Sequence, residues 1–79
     1  MRGGPKLVEA NLPGFVGVGH LYKLGDQHFL VYTGAARDLW DVSATEPGTM
    51  RFGATLVRAA GSREDALRRL VDALAGPTS

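Results

Sequence analysis

His20-Leu21-Tyr22-Lys23-Leu24-Gly25-Asp26-Gln27-His28-Phe29-Leu30-Val31-Tyr32-Thr33 is the stretch that decides the fold. Two runs rich in aromatic and aliphatic residues flank Gly25-Asp26, a two-residue loop of the Gly-X kind. Such loops close tight hairpins because glycine supplies the positive φ that their first position requires. With Gly25 and Asp26 at the tip, Leu24 faces Gln27. Tyr22 then pairs with Phe29 and His20 with Val31 on one face of the hairpin, while Leu21 pairs with Leu30 on the other.

The elements to either side extend this hairpin into a meander. Residues 6–10 (Lys-Leu-Val-Glu-Ala) form a short strand ended by Asn11-Leu12-Pro13-Gly14, where proline and then glycine suit a type II turn. Residues 15–24 form the apolar run that enters the hairpin. Residues 34–38 connect to a strand over 39–44, Glu46-Pro47-Gly48-Thr49 turns the chain, and 50–59 form the last strand. A five-residue loop from Thr45 to Thr49 pairs Ala44 with Met50, Val42 with Phe52 and Trp40 with Ala54. That register collects the large apolar groups on one face, and a slip of one residue would exchange the two faces.

The last element is a helix. Ser62 stands as N-cap with Asp65 three residues on, Glu64 and Asp65 occupy the first turn where the helix dipole favours anions, and Gly76-Pro77 supplies a stop. Ala66, Leu67, Leu70, Val71 and Leu74 recur at helical spacing as an apolar stripe. Glu64 with Arg68 and Asp65 with Arg69 are spaced for i,i+4 ion pairs. The expected fold is therefore α+β in two layers: an antiparallel β-meander of three to five strands with one C-terminal α-helix packed on one sheet face. Its expected core is Val16, Val18, Tyr22, Phe29, Val31, Trp40, Val42, Met50, Phe52 and Leu56, against Leu67, Leu70, Val71 and Leu74.

With 79 residues and 44% of them hydrophobic, the chain holds one small domain. Residues 6–76 are assigned to it, 1–5 to a flexible N-terminus and 77–79 to a tail. Cysteine is absent, which removes disulfides and thiolate metal sites. A formal charge of +1 gives no composition-level sign of a nucleic-acid binder. No apolar run approaches the roughly 18 residues of a membrane span, and no signal-peptide h-region follows Met1, so a cytoplasmic location is expected. Arginine far outnumbers lysine beside abundant alanine, glycine and leucine, a bias that suits a GC-rich bacterial genome.

One helix covers one sheet face, and the other face ought to alternate cleanly between apolar and polar. It does not, because Leu21, Leu30 and Tyr32, with Phe15 and Val57, fall on the side away from the helix, beside Gly17 and Gly19. Three covers fit: the chain's own N-terminal segment, a second copy, or a partner molecule. The glycines leave room for another backbone or ring to approach. The leading expectation is a non-catalytic interaction domain that forms a homodimer or docks a protein partner through Leu21, Leu30, Tyr32, Gly17 and Gly19. The alternative is a nucleic-acid-binding regulatory module using Lys23, Arg51, Thr55 and Arg58, because residues 51–69 are rich in arginine while 26–46 are acidic. A three-stranded sheet followed by a helix resembles the general plan of AP2-type DNA-binding domains and of the arm-binding modules of tyrosine integrases. Neither family's residue motif is present, and no family is assigned.

Chemistry finds little purchase. His20 and His28 point to opposite faces in the hairpin register and lack ligand spacing, so no metal site is expected. His28 with Asp26 as its orienting carboxylate is the sole general-base pairing that would serve a small hydrolase or nuclease. The Gly14, Gly17, Gly19 series leads into a strand rather than a helix and lacks the Gly-Lys-Ser/Thr ending, so it is no phosphate loop, and no cofactor is expected. Trp40, in phase with Val42 and Ala44, reads as core rather than as a stacking platform.

Overall fold

The structure, a computed structural model, describes residues 4–34, 38–49 and 51–75. Five strands, β1 (Lys6–Glu9), β2 (Gly19–Leu24), β3 (Gln27–Thr33), β4 (Trp40–Thr45) and β5 (Thr55–Ala60), precede one helix, α1 (Arg63–Ala75). The strands lie in sequence order in a single antiparallel sheet. The helix packs on one face of that sheet, against β5, β4 and β3. From its first turn Arg63 also reaches His20 on β2, 3.1 Å away. This is the two-layer α+β meander expected from the sequence. No helix among the described residues is long and apolar enough to cross a membrane.

The central hairpin forms in the expected register, with Leu24 opposite Gln27, Tyr22 opposite Phe29, Leu21 opposite Leu30 and His20 opposite Val31. Gly25 takes φ 64° at the tip, the conformation for which glycine is chosen there. Strand pairing then sorts the side chains into rows. His20, Val31, Val42 and Val57 form one row under the helix. Tyr22, Phe29 and Ala44 form a second, and Thr33, Trp40 and Ala60 a third. With Ala66 and Leu70 of the helix these rows make the core. The opposite face carries Leu21, Leu30, Ser43 and Thr55, flanked by Gly19, Tyr32 and Asp41 and by Lys23, His28 and Thr45.

Several sequence expectations are corrected. β2 starts at Gly19 rather than at residue 15, and β5 at Thr55 rather than at 50. The β4–β5 register differs from the five-residue loop: Val42 pairs with Val57 and Trp40 with Ala60, while Ala44 exchanges backbone bonds with Gly53 N–H at 2.7 Å and with the Ala54 carbonyl at 2.9 Å. The physical reason is that this longer connection uses both faces. Val57, expected on the outer face, joins the core at 4% exposure, and Phe52 is freed to cross to the outer side. Val16 (76% exposed) and Phe52 (56%) lie outside the core, as do Val71 and Leu74 of the helix at 38% each. The expected pairing of Met50 and the stop at Gly76-Pro77 lie outside the described residues, as do residues 1–3 and 35–37 of the expected N-terminus and connection.

The helix starts as its cap residues dictate, with the Asp65 N–H donating to Ser62 Oγ at 3.0 Å. Asp65 binds both Arg69, at 3.1 Å, and Arg68. Arg68 thus turns to the i−3 carboxylate instead of pairing with Glu64 as expected. The arginine hydrogen bond from Arg68 is the main cause holding the Asp65 carboxyl below the usual aspartate range.

Candidate functional site: an aromatic cleft on the outer sheet face

The chain covers its own outer face with loops. After β1, positive φ at Asn11 (56°) and Gly14 (91°) reverses the backbone and sends Phe15 back over β2. The Leu12 N–H donates to the Gly19 carbonyl at 2.8 Å, which pins this loop to the start of β2. Gly19 is required at that spot, because a Cβ would collide with the Phe15 ring. Gly17 is required for a different neighbour, since its Cβ would meet the Thr33 hydroxyl and the Gly34 carbonyl. There the Val18 N–H donates to Thr33 Oγ1 at 2.9 Å, and the Thr33 N–H donates to the Val18 carbonyl at 2.8 Å.

Phe52 arrives from the other side, on the β4–β5 connection. Its ring meets Tyr32 edge-on with centroids 5.1 Å apart, and Phe15 stands 5.5 Å from Tyr32 and 5.8 Å from Phe52. Aromatic pairs at such separations add roughly 0.5–1.5 kcal/mol beyond area burial. The Tyr32 hydroxyl shares a hydrogen bond with Ser43 Oγ at 3.0 Å, and Ser43 with Thr55 Oγ1 at 3.3 Å. This hydroxyl row anchors one ring of the trio to the sheet. Below the rings Leu21 and Leu30 are sealed at 4% and 1% exposure.

Between the two loops an open cleft of about 430 Å³ remains, walled by Phe15 and Phe52, edged by Leu12, Pro13, Gly14 and Glu9, and floored by Leu30. Its volume lies within the usual range for sites that take a small molecule or a side chain, about 300–1,000 Å³. Among the described residues Glu9 is its sole charged lining residue.

Of the residues singled out as partner-binding, the structure brings Leu30 to the cleft floor and Tyr32 into the aromatic trio. Leu21 is buried beside them, and Gly17 and Gly19 receive other parts of the same chain. Phe52, Leu12 and Pro13 were not singled out as site residues. Lys23, Arg51, Thr55 and Arg58 are all exposed. β3 and β4 separate Lys23 from Thr55 and Arg58, about 14 Å at ordinary strand spacing, so Lys23 does not adjoin the other three.

The histidines lie on opposite faces. His20 is 5% exposed beneath the helix and stacks on Trp40 with centroids 6.0 Å apart. Its Nδ1 accepts the Asn11 N–H at 3.1 Å, and Arg63 Nη1 lies 3.1 Å from its Nε2. Burial, and then the Arg63 charge, push its pKa below the ordinary histidine value. His28 stands on the outer face opposite Lys23 and Thr45. Among the described residues no group of three His, Asp or Glu side chains is placed to hold a metal ion. Trp40 packs partly buried against the core.

Comparison with protein-family models, with curated proteins and with solved structures finds no match for this chain.

Proposed function

We propose that the chain is a non-catalytic interaction domain that docks a protein partner by taking an apolar side chain into the cleft beside the Phe15 and Phe52 rings. The observation that carries this reading is an open, aromatic-walled cleft on the sheet face that bears no helix. Aromatic walls around an apolar floor are the usual setting for an anchor side chain, and Glu9 at the rim favours a partner with a basic residue beside the anchor. The alternative, nucleic-acid binding through Lys23, Arg51, Thr55 and Arg58, draws less support because Lys23 lies three strands away from Thr55 and Arg58, and Arg51 lies off the sheet on the β4–β5 connection. A hydrolase or nuclease reading draws none from His20 and His28 on opposite faces.

The test is a selection of random displayed peptides on the domain, followed by NMR titration of a selected peptide. Shifts should centre on Gly14, Phe15, Leu30 and Phe52, and Phe52→Ser should weaken binding about tenfold or more without unfolding the domain. Peptides that bind Phe52→Ser equally well would overturn the proposal. Binding of duplex DNA that falls steeply with salt and drops on Arg51→Ala would transfer support to the alternative.

A further inference from the structure

We infer that β1 pairs edge to edge with β1 of a second copy, in antiparallel fashion, to join two sheets into one of ten strands, five from each copy. The inference rests on the sheet edge and not on the cleft. Among the described residues β1 is an outer strand bonded to β2 alone, and all four of its residues, Lys6 to Glu9, are exposed. Leu7 and Val8 each keep 51% of their surface in solvent. An exposed edge with apolar residues is a template for another strand, and the bulge and charges of so short a strand, which discourage indiscriminate pairing, restrict it to a strand of matching charge pattern.

The charges select which strand that is. Lys6 lies directly opposite Lys23, a like-charge cross-strand pair that is unfavourable as it stands. The β1–β2 register skips between Leu7 and Glu9, so Lys6 faces Lys23 while Glu9 faces Leu21. Lys23 and Leu21 are two apart on β2 and share the outer face, and the skip therefore places Lys6 and Glu9 on that same face. In a regular strand, residues three apart would point to opposite faces. A two-fold axis normal to the sheet, passing between Leu7 and Val8, keeps each face on its own side. It sets Lys6 of each copy against Glu9 of the other, with the apolar pair at the centre. Each Lys6 gains the carboxylate that its position beside Lys23 lacks. The other outer strand, β5, offers no such self-complement, since Arg58 is its sole charged residue. The same axis leaves both aromatic clefts on one face, and because Glu9 lines the cleft rim, Lys6 of the second copy would border it.

Four residues bury little area, so the association is weak, concentration-dependent and sensitive to salt. Sedimentation over about 1 µM to about 1 mM brackets the affinity such an interface supplies. Wild-type chain should pass from monomer to dimer within that range at low salt. Lys6→Glu, which sets carboxylates against carboxylates across the axis, should weaken dimerisation about tenfold or more. The double variant Lys6→Glu, Glu9→Lys should restore it. Both positions are exposed, so folding is not at stake. A monomer throughout the range, or a dimer that ignores Lys6→Glu, would overturn the inference. Neither result would touch the cleft, whose test uses peptides and Phe52→Ser.

Discussion

Leu30 separates two accounts of the outer face, because a docking surface tolerates its truncation and a sealed layer does not. At 1% exposure, Leu30→Ala removes three carbons from a space that Phe15 and Phe52 roof over. Changes of this kind cost about 2–5 kcal/mol, according to how far the surroundings collapse. A 79-residue domain has roughly 4–12 kcal/mol to lose at ordinary stability per residue. The substitution should therefore remove a large share of it. Val16→Ala is the control: at 76% exposure it should change stability by less than about 0.5 kcal/mol. With a urea m-value of about 1 kcal/mol/M, Leu30→Ala should lower the unfolding midpoint by about 2 M or more, and Val16→Ala by about 0.5 M or less. Leu30→Glu, which buries an unpaired carboxylate, should leave the chain unfolded at room temperature. A Leu30→Ala midpoint no lower than that of Val16→Ala would refute the sealed layer and return Leu30 to the free surface. A folded Leu30→Glu monomer would do the same.

Gly19→Ala should destabilise by about 1–3 kcal/mol because the new methyl group displaces the Phe15 ring. In a Phe15→Ala background that penalty should largely vanish, and additive effects in the four urea curves would show that the ring does not rest on Gly19. His20 makes stability depend on pH: its folded pKa lies below the ordinary value of 6.5, so the unfolded chain takes up the proton first as pH falls. Stability is full above about pH 6.5 and declines below it, with a slope of at most about 1.4 kcal/mol per unit. His20→Gln should flatten denaturation midpoints between about pH 6.5 and 5 relative to wild type, and an unchanged slope would remove His20 as the cause.

What the sequence made legible is what is local. The Gly25-Asp26 tip fixes the facing residues of β2 and β3 one pair at a time, and Ser62 with Asp65 marks where α1 begins. Both depend on groups within a few positions of each other. The β4–β5 register escaped the same reasoning. Alternation allows Phe52 or Val57 to stand opposite Val42, and choosing between them requires knowing that Tyr32 and Phe15 lie on the far side to receive Phe52. Ala59 adds a feature that no alternation pattern contains. It takes φ 55° at the end of β5 while its N–H donates to Asp41 Oδ1 at 2.8 Å, so a side-chain acceptor on β4 offsets a left-handed conformation that costs an L-residue about 1–2 kcal/mol.

The cleft was legible in half. Leu21, Leu30 and Tyr32 stood out because they break the alternation of a face with no helix, and Gly17 and Gly19 because strands seldom spare two alternate side chains without something occupying the space. Those are the residues that get covered. The residues that do the covering, Phe15 and Phe52, belong to irregular segments where period carries no information, and Phe15 reads as strand because an apolar run continues from it. Their placement follows from topology. A single helix spans β3 to β5 on one side, and short loops have to shield Leu21 and Leu30 on the other. Two loops meeting from opposite directions over the sheet bring Phe15 and Phe52 together, 5.8 Å apart, and leave a gap beside the rings, toward Leu12 and Pro13. That gap is the cleft. A cover assembled from turns and a few ring contacts holds fewer buried groups than the helix layer, which places it at the low-stability end of the domain. Adjustment to a docked side chain is then easiest on the same face that offers the cleft.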